Sequence, residues 1–286
     1  METEILWGKE LAQNTVAKVA QEVAQLREKV GRPPGLAVIL VGEDPASQIY
    51  VSHKEKACQE AGIRSLGKRL PASTSMEEML ELIHQLNQDP QVDGILVQLP
   101  LPPHLDPSPI IEAIDPAKDV DGFHPLNMGK LALGEKGIVP CTPKGVMALL
   151  DHYHIPVKGK EVVVVGASNI VGKPLSLLLV NRMATVAICH IETKDITLYT
   201  SKADIIFTAT GVAHLIKRDM VPQGVIIFDI GISRVEGKIV GDADFRGLQG
   251  WARAITPVPG GVGPMTVAML MVNTLEAYKG RLGIEP

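Results

Sequence analysis

The chain has 286 residues, 45% of them hydrophobic and 21% charged, with a formal net charge of −4 and a pI near 6.1. That balance excludes a disordered chain, leaves room for two domains of ordinary size, and offers no basic stripe for nucleic acid. Three well-separated cysteines without a C-x-x-C pair argue against disulfides and structural zinc; the acidic start METEILWGKE lacks an apolar signal core and the apolar runs are strand-sized, so the expected setting is the cytoplasm, with no membrane span.

The first predicted helix covers Lys9 to Val30, where Leu11, Val19, Val23, Leu26 and Val30 share one face, and Arg32-Pro33-Pro34-Gly35 stops it. LAVILVG then reads as a strand buried on both sides, as in a parallel sheet. Asp44-Pro45 supplies an N-cap and a favourable first helical residue, predicting a helix to about Gly62. A weak strand follows at 66–70. Ser75 and Glu78 form a capping box that opens a helix to about Asn87. Residues 94–99 are the next strand, ending in the Pro-rich loop PLPPHLDPSP and a short helix, IIEAI. The stretch 115–142 reads as a loop, leading into a helix at 145–153. A second series begins at Glu161, with strands at 161–166, 184–190, 203–208 and 224–230. Helices near 174–182 and 194–201 and a turn near 217–220 separate them. The loop TPVPGGVGPM precedes a final helix that reaches about Tyr278. Alternating strands and helices imply two α/β domains. The expected division is 1–140, joined by the terminal helix at 265–286, and 141–264 as a Rossmann-type parallel sheet.

Ligands of such sheets sit at the carboxyl ends of strands, so the residues just past each strand are the candidates for chemistry. EVVVVGASNIVGKP joins a strand, a glycine turn and a helix start, a cradle for a pyrophosphate, although Ser168 takes the middle position of the usual glycine triplet. Tyr50 and Lys54 share a helix face four residues apart. They read either as site residues or as a half-buried Tyr beside a solvated Lys. Gln98 is a polar residue closing an apolar strand. Asp119 and Asp121 lie in a loop; two carboxylates without further oxygen ligands make a poor metal site. TPVPGGVGPMT carries three prolines and three glycines between a strand and a helix, which suits a stiff backbone platform or a hinge.

The segments YVSHK (50–54), QLPLP (98–102), DVDGF (119–123), GASNIVGKP (166–174) and TPVPGGVGPMT (256–266) together resemble one family over nearly the whole chain, in its order and spacing. The chain is similar to the bifunctional methylenetetrahydrofolate dehydrogenase/methenyltetrahydrofolate cyclohydrolases, the FolD family. The resemblance implies two α/β domains with the active-site cleft between them. It implies oxidation of 5,10-methylenetetrahydrofolate with NADP, then hydrolysis of the methenyl cation to 10-formyltetrahydrofolate. Tetrahydrofolate derivatives, a homodimer and no metal go with it.

By the same resemblance Lys54 matches the catalytic lysine. A protonated amine would oppose hydride loss and could not accept a proton from water, so Lys54 is expected to act at least partly neutral. Gln98 matches its uncharged hydrogen-bond partner, flanked by Val97 and Leu99. Tyr50 matches the tyrosine that stacks on the folate, and Asp121 the carboxylate that holds the pterin. Pro259, Gly260, Gly261, Val262 and Gly263 match the loop lining the substrate pocket. Gly166, Ala167, Ser168, Ile170, Gly172, Ile191, Thr210, Gly211 and Ile232 match cofactor positions. NADP is the expected cofactor and NAD its competitor, because Glu192 beside Ile191 suits free ribose hydroxyls. Two rivals remain at this level. A shikimate-type dehydrogenase would need an anion-binding cluster of cations in the first domain, and a non-enzymatic nucleotide-binding regulator would need a degenerate first domain.

Overall fold

A computed structural model of the chain describes residues 2–284. The chain divides into two compact units. One comprises residues up to Ala12, Leu131–Gly134 and Thr142–Thr266; the other comprises Gln13–Lys130, Glu135–Cys141 and the chain from Val267.

In the first of these, six parallel strands run in the order Glu4–Ile5, Ala254–Ile255, Ile226–Asp229, Ile205–Thr208, Glu161–Val165 and Thr185–Cys189. The register sets Val165 opposite Thr208 and Thr208 opposite Asp229, so three strands end level with one another. Val163, Ile206, Ile227 and Ile255 are buried against Leu248 and Ala252, and the rings of Phe207 and Phe228 stack at 5.0 Å. Residues up to Ala12 fall here and not with the 13–130 unit, where the sequence-based division left them. Glu4 and Ile5 pair in parallel with Ala254 and Ile255, a main-chain ladder that two residues cannot announce in sequence. An antiparallel hairpin of Ser233–Val235 and Lys238–Val240 was also missed. Its turn residues, Glu236 and Gly237, both take positive φ, 50° and 76°, as a two-residue hairpin loop requires.

In the other unit, Gly35–Val41 is the central strand and every residue of it is buried. Gly94–Val97 pairs along one edge; Arg64–Ser65 and Lys68–Leu70 share the other, all parallel. The expected single strand at 66–70 is therefore two short ones. Ala37, Ile39 and Val41 pack with Met79, Ile83, Ile95, Val97 and Ile110. The Pro45–Ala61 helix starts where Asp44 accepts the Ser47 N–H at 2.7 Å and stops at Gly62, whose φ is 71°. Both halves of the Ser75–Glu78 capping box are present. Residues expected to be loop contain the helix Pro125–Leu133. Its periodicity is hidden because Leu126 and Leu133 stay exposed while Leu131 is buried.

Buried Asp93 ties this unit together. It accepts two hydrogen bonds from Arg32, at 2.6 and 2.9 Å, one from the Gly35 N–H at 2.8 Å and one from Arg281 at 2.7 Å. The terminal helix begins at Val262, inside the expected platform loop, with Pro264 in its first turn, where a missing N–H costs nothing. Among the described residues no helix is long and apolar enough to cross a membrane.

Candidate active site

In the unit built on Gly35–Val41, three expected site residues converge. Buried Val51 and Cys58 set the inner face of the Pro45–Ala61 helix, leaving Tyr50 and Lys54 one turn apart on its flank. Lys54 is half-buried. Its Nζ donates to Gln98 Oε1 at 2.9 Å. Gln98 is held on both sides, its N–H donating to Ile39 O at 2.8 Å and its Nε2 to Leu99 O at 2.7 Å. The amide therefore presents its oxygen to the lysine. Val97 is buried, Leu99 is half-buried and followed by a cis bond to Pro100, and Tyr50 is exposed.

Asp121 completes the cluster. Burial pushes its carboxyl up to about 6; the Lys54 charge opposes the rise, Asp119 adds to it, and a hydrogen bond from Cys141 lowers it. The loop around it is pinned from below. Lys118, buried, donates to the carbonyls of Leu86, Asn87 and Asp89 at 2.9, 2.6 and 3.0 Å. Asn273 Nδ2 donates to Val120 O and Val139 O, both at 2.8 Å. Asp119 turns inward to its own loop. Among the described residues no group of three or more His, Cys, Asp or Glu could hold a metal ion.

In the six-stranded unit, a cavity of about 540 Å³ opens past the strand ends. It is lined by the segments following Glu161–Val165, Thr185–Cys189 and Ile205–Thr208, beside the switch point of the sheet, where dinucleotides bind in this architecture. Of the expected cofactor positions, Gly166, Ala167, Ser168, Ile191 and Thr210 line it. Ile170, Gly172, Gly211 and Ile232 do not line it. Gly172 acts through the turn itself: a Cβ there would collide with the carbonyl of Gly166. Ser168 Oγ accepts from the N–H groups of Val171 and Gly172, at 3.2 and 3.4 Å, which shapes the turn in place of a middle glycine. His190, Thr193, Val212 and Leu215 also line the cavity and were not chosen from sequence. Position past a strand end was a signal for His190, but nothing local marks Val212 or Leu215. Ile191 is 97% exposed, so its side chain is available to a ligand. Lys173 donates to Asn169 Oδ1 at 2.7 Å.

The platform segment also falls in this unit. Val258–Pro259 is cis, Gly260 has φ 110°, and the Gly261 N–H donates to Pro257 O at 2.8 Å. Pro259 and Gly263 are exposed, Gly261 and Val262 buried.

A level-ended parallel sheet with a glycine turn and a switch-point cavity defines an NAD(P)-binding α/β protein, and the Lys54, Gln98 and Asp121 set is a candidate site in the other unit. The family model for the tetrahydrofolate dehydrogenase/cyclohydrolase catalytic domain matches residues 6–121, and that for the NAD(P)-binding domain of the same family matches residues 140–282. A bifunctional protein FolD of Aquifex aeolicus is 58% identical over 276 residues, covering 96% of this chain and 95% of its own. The crystal structure of FolD from Campylobacter jejuni superposes with a TM-score of 0.95 at 51% identity, covering 98% of this chain and 99% of its own. FolD of Trypanosoma brucei, solved with NADP cofactor and inhibitor, gives a TM-score of 0.94 at 37% identity, covering 99% of each chain. The chain belongs to the tetrahydrofolate dehydrogenase/cyclohydrolase family. The shikimate-type and regulator readings are not favoured.

Proposed function

We propose that the chain oxidises 5,10-methylenetetrahydrofolate to the 5,10-methenyl cation with NADP, and hydrolyses that cation to 10-formyltetrahydrofolate. The 2.9 Å hydrogen bond from Lys54 to Gln98, in a chain matched by both family domains, carries this reading. NADP, when bound, supplies the hydride acceptor. Gly166, Ala167, Ser168, Ile191, Thr193 and Thr210 would hold it around the switch-point cavity.

The remaining steps belong to the side chains. Asp121 accepts from the pterin ring N–H and exocyclic amine, and Tyr50 stacks on the aromatic part of the folate. Gln98 directs Lys54 through a neutral amide carbonyl at 2.9 Å. Water adds to the bridging carbon of the methenyl group, with Lys54 as the acceptor of its proton. The hydroxyl then gives up its remaining proton as the formyl carbonyl forms, the bond from that carbon to N5 breaks and N5 takes up a proton, leaving one proton released overall.

Mixing the protein with methylenetetrahydrofolate and each nucleotide tests the reading. A near-UV methenyl band should rise and then decay, with higher kcat/KM for NADP. No change in that band with either nucleotide would overturn it, and a strong NAD preference would overturn the cofactor assignment. A homodimer in the cytoplasm belongs to the same reading. Thr185–Cys189 is the outermost strand of its sheet, and Ile188, Val180 and Met183 near it are 43%, 50% and 68% exposed. Light scattering should give twice the 30.7 kDa chain mass. The described residues contain no disulfide; Cys58, Cys141 and Cys189 are all buried thiols.

A further inference from the structure

The Asp119 carboxylate has an unusual set of partners. It is 1% exposed. It accepts from the N–H groups of Gly122, Phe123 and His124 at 3.1, 3.3 and 2.8 Å, and from Asn127 Nδ2 at 2.8 Å. Asn127 is itself buried and also donates to Pro116 O at 2.9 Å. Four donors around one carboxylate fold residues 119–124 into a closed turn, with Asp121 at its centre. The turn reverses at Gly122, whose φ is 74° and whose absent Cβ would lie 2.7 Å from Pro140 N. No side chain but hydrogen fits there, so the loop has one path through this point.

We infer that Asp119 is a positioning residue: it sets the direction and the charge environment of Asp121 toward the folate and Lys54. This rests on the reading of Asp121 as the group that holds the pterin. The Asp119 carboxylate serves both as a hydrogen-bond hub and as a like charge two residues from Asp121. The charged and titratable groups acting on Asp121 are Lys54, Asp119 and Cys141. Of these Asp119 opposes ionisation and Lys54 favours it. Asp119 is buried and its oxygens are engaged by its own loop and Asn127, so its effect passes through Asp121.

Steady-state kinetics of Asp119→Asn test this. An amide cannot accept from all four donors and carries no charge. KM for methylenetetrahydrofolate should rise roughly tenfold or more, the loss expected for hydrogen bonds to a charged group, while KM for NADP stays unchanged and reports an intact fold. The acid limb of the kcat/KM profile should move to lower pH, because the like charge is gone. A purely structural role would leave that limb in place. In an Asp121→Ala background the same substitution should add no further loss. Should Asp119→Asn not fold, Asn127→Ala removes one donor and should raise the folate KM in the same direction by a smaller factor. Impairment by Asp121→Ala with an unmoved KM and acid limb in folded Asp119→Asn would overturn the inference alone. An unimpaired Asp121→Ala would overturn both it and the reading it rests on.

Discussion

Lys54 donates an Nζ hydrogen to the side-chain oxygen of Gln98 across 2.9 Å, and Gln98 keeps that oxygen outward by donating its own amide hydrogen to Leu99 O. The lysine is thereby aimed by a neutral hydrogen-bond partner. Gln98→Glu would place a carboxylate against both Lys54 and the Leu99 carbonyl. The expected result is a cyclohydrolase profile displaced to higher pH, since a facing carboxylate favours the charged amine. The pH dependence of methenyl decay measures it, and an unmoved profile would count against a neutral lysine in the mechanism.

Lys54→Ala removes the proposed base. Proton transfer by a positioned side chain contributes typically about 10²- to 10⁴-fold, so cyclohydrolase activity should fall by that order. Dehydrogenase activity should fall as well. Retention of most of the cyclohydrolase rate would sink the proposed chemistry.

Gly172→Ala tests the cradle. The new Cβ would collide with the Gly166 carbonyl and come within 2.7 Å of its carbon. The turn must open, and KM for NADP should rise by at least roughly tenfold, about 1.4 kcal/mol of binding. KM for the folate should not follow. Titration with NADP, monitored by calorimetry, gives the affinity directly.

Asp121 links stability to pH. Its folded value of about 6 stands above the 3.8 of an unperturbed aspartate. Between those values the folded chain binds more protons than the unfolded chain, so this group's contribution to stability falls as pH rises through that window. Asp121→Asn should therefore melt a few degrees above wild type at about pH 7.5 and lose that advantage by about pH 4. Thermal melts of both proteins across the window measure the difference. The same substitution should weaken folate binding, because a site carboxylate held at a cost to stability is a common trade.

Asp93→Ala removes the acceptor shared by Arg32, Arg281 and the Gly35 N–H. It leaves buried donors and two guanidinium groups without their anion. Breaking a buried pair costs about 3–5 kcal/mol, which a urea titration would register as a lower midpoint. Asp93→Asn should cost less, as it keeps one acceptor.

Much of this was open to reading in one dimension. LAVILVG and EVVVV are apolar throughout because both faces of a parallel strand are covered, and that pattern is local. Asp44-Pro45 and Ser75 with Glu78 announce helix starts because capping is settled within four residues. Tyr50 and Lys54 share a face by helical spacing alone. The helix Pro125–Leu133 was not readable, since its apolar residues do not keep to one face. Nor was the pairing of Glu4–Ile5 with Ala254–Ile255.

The sequence by itself determined the two α/β sheets, the glycine turn and the chemical types available to the site. Tertiary structure decided what each charge does. Gln98 reaches Lys54 across 44 positions, Lys118 spends its three hydrogens on carbonyls around thirty residues earlier, and Asp119 and Asp121, alike in sequence, part into a hydrogen-bond hub and an acid whose titration burial raises. Local propensity fixes φ and ψ over a few residues. A carboxylate's charge state and role depend on the donors and dielectric around it, and those come from segments that only folding brings near.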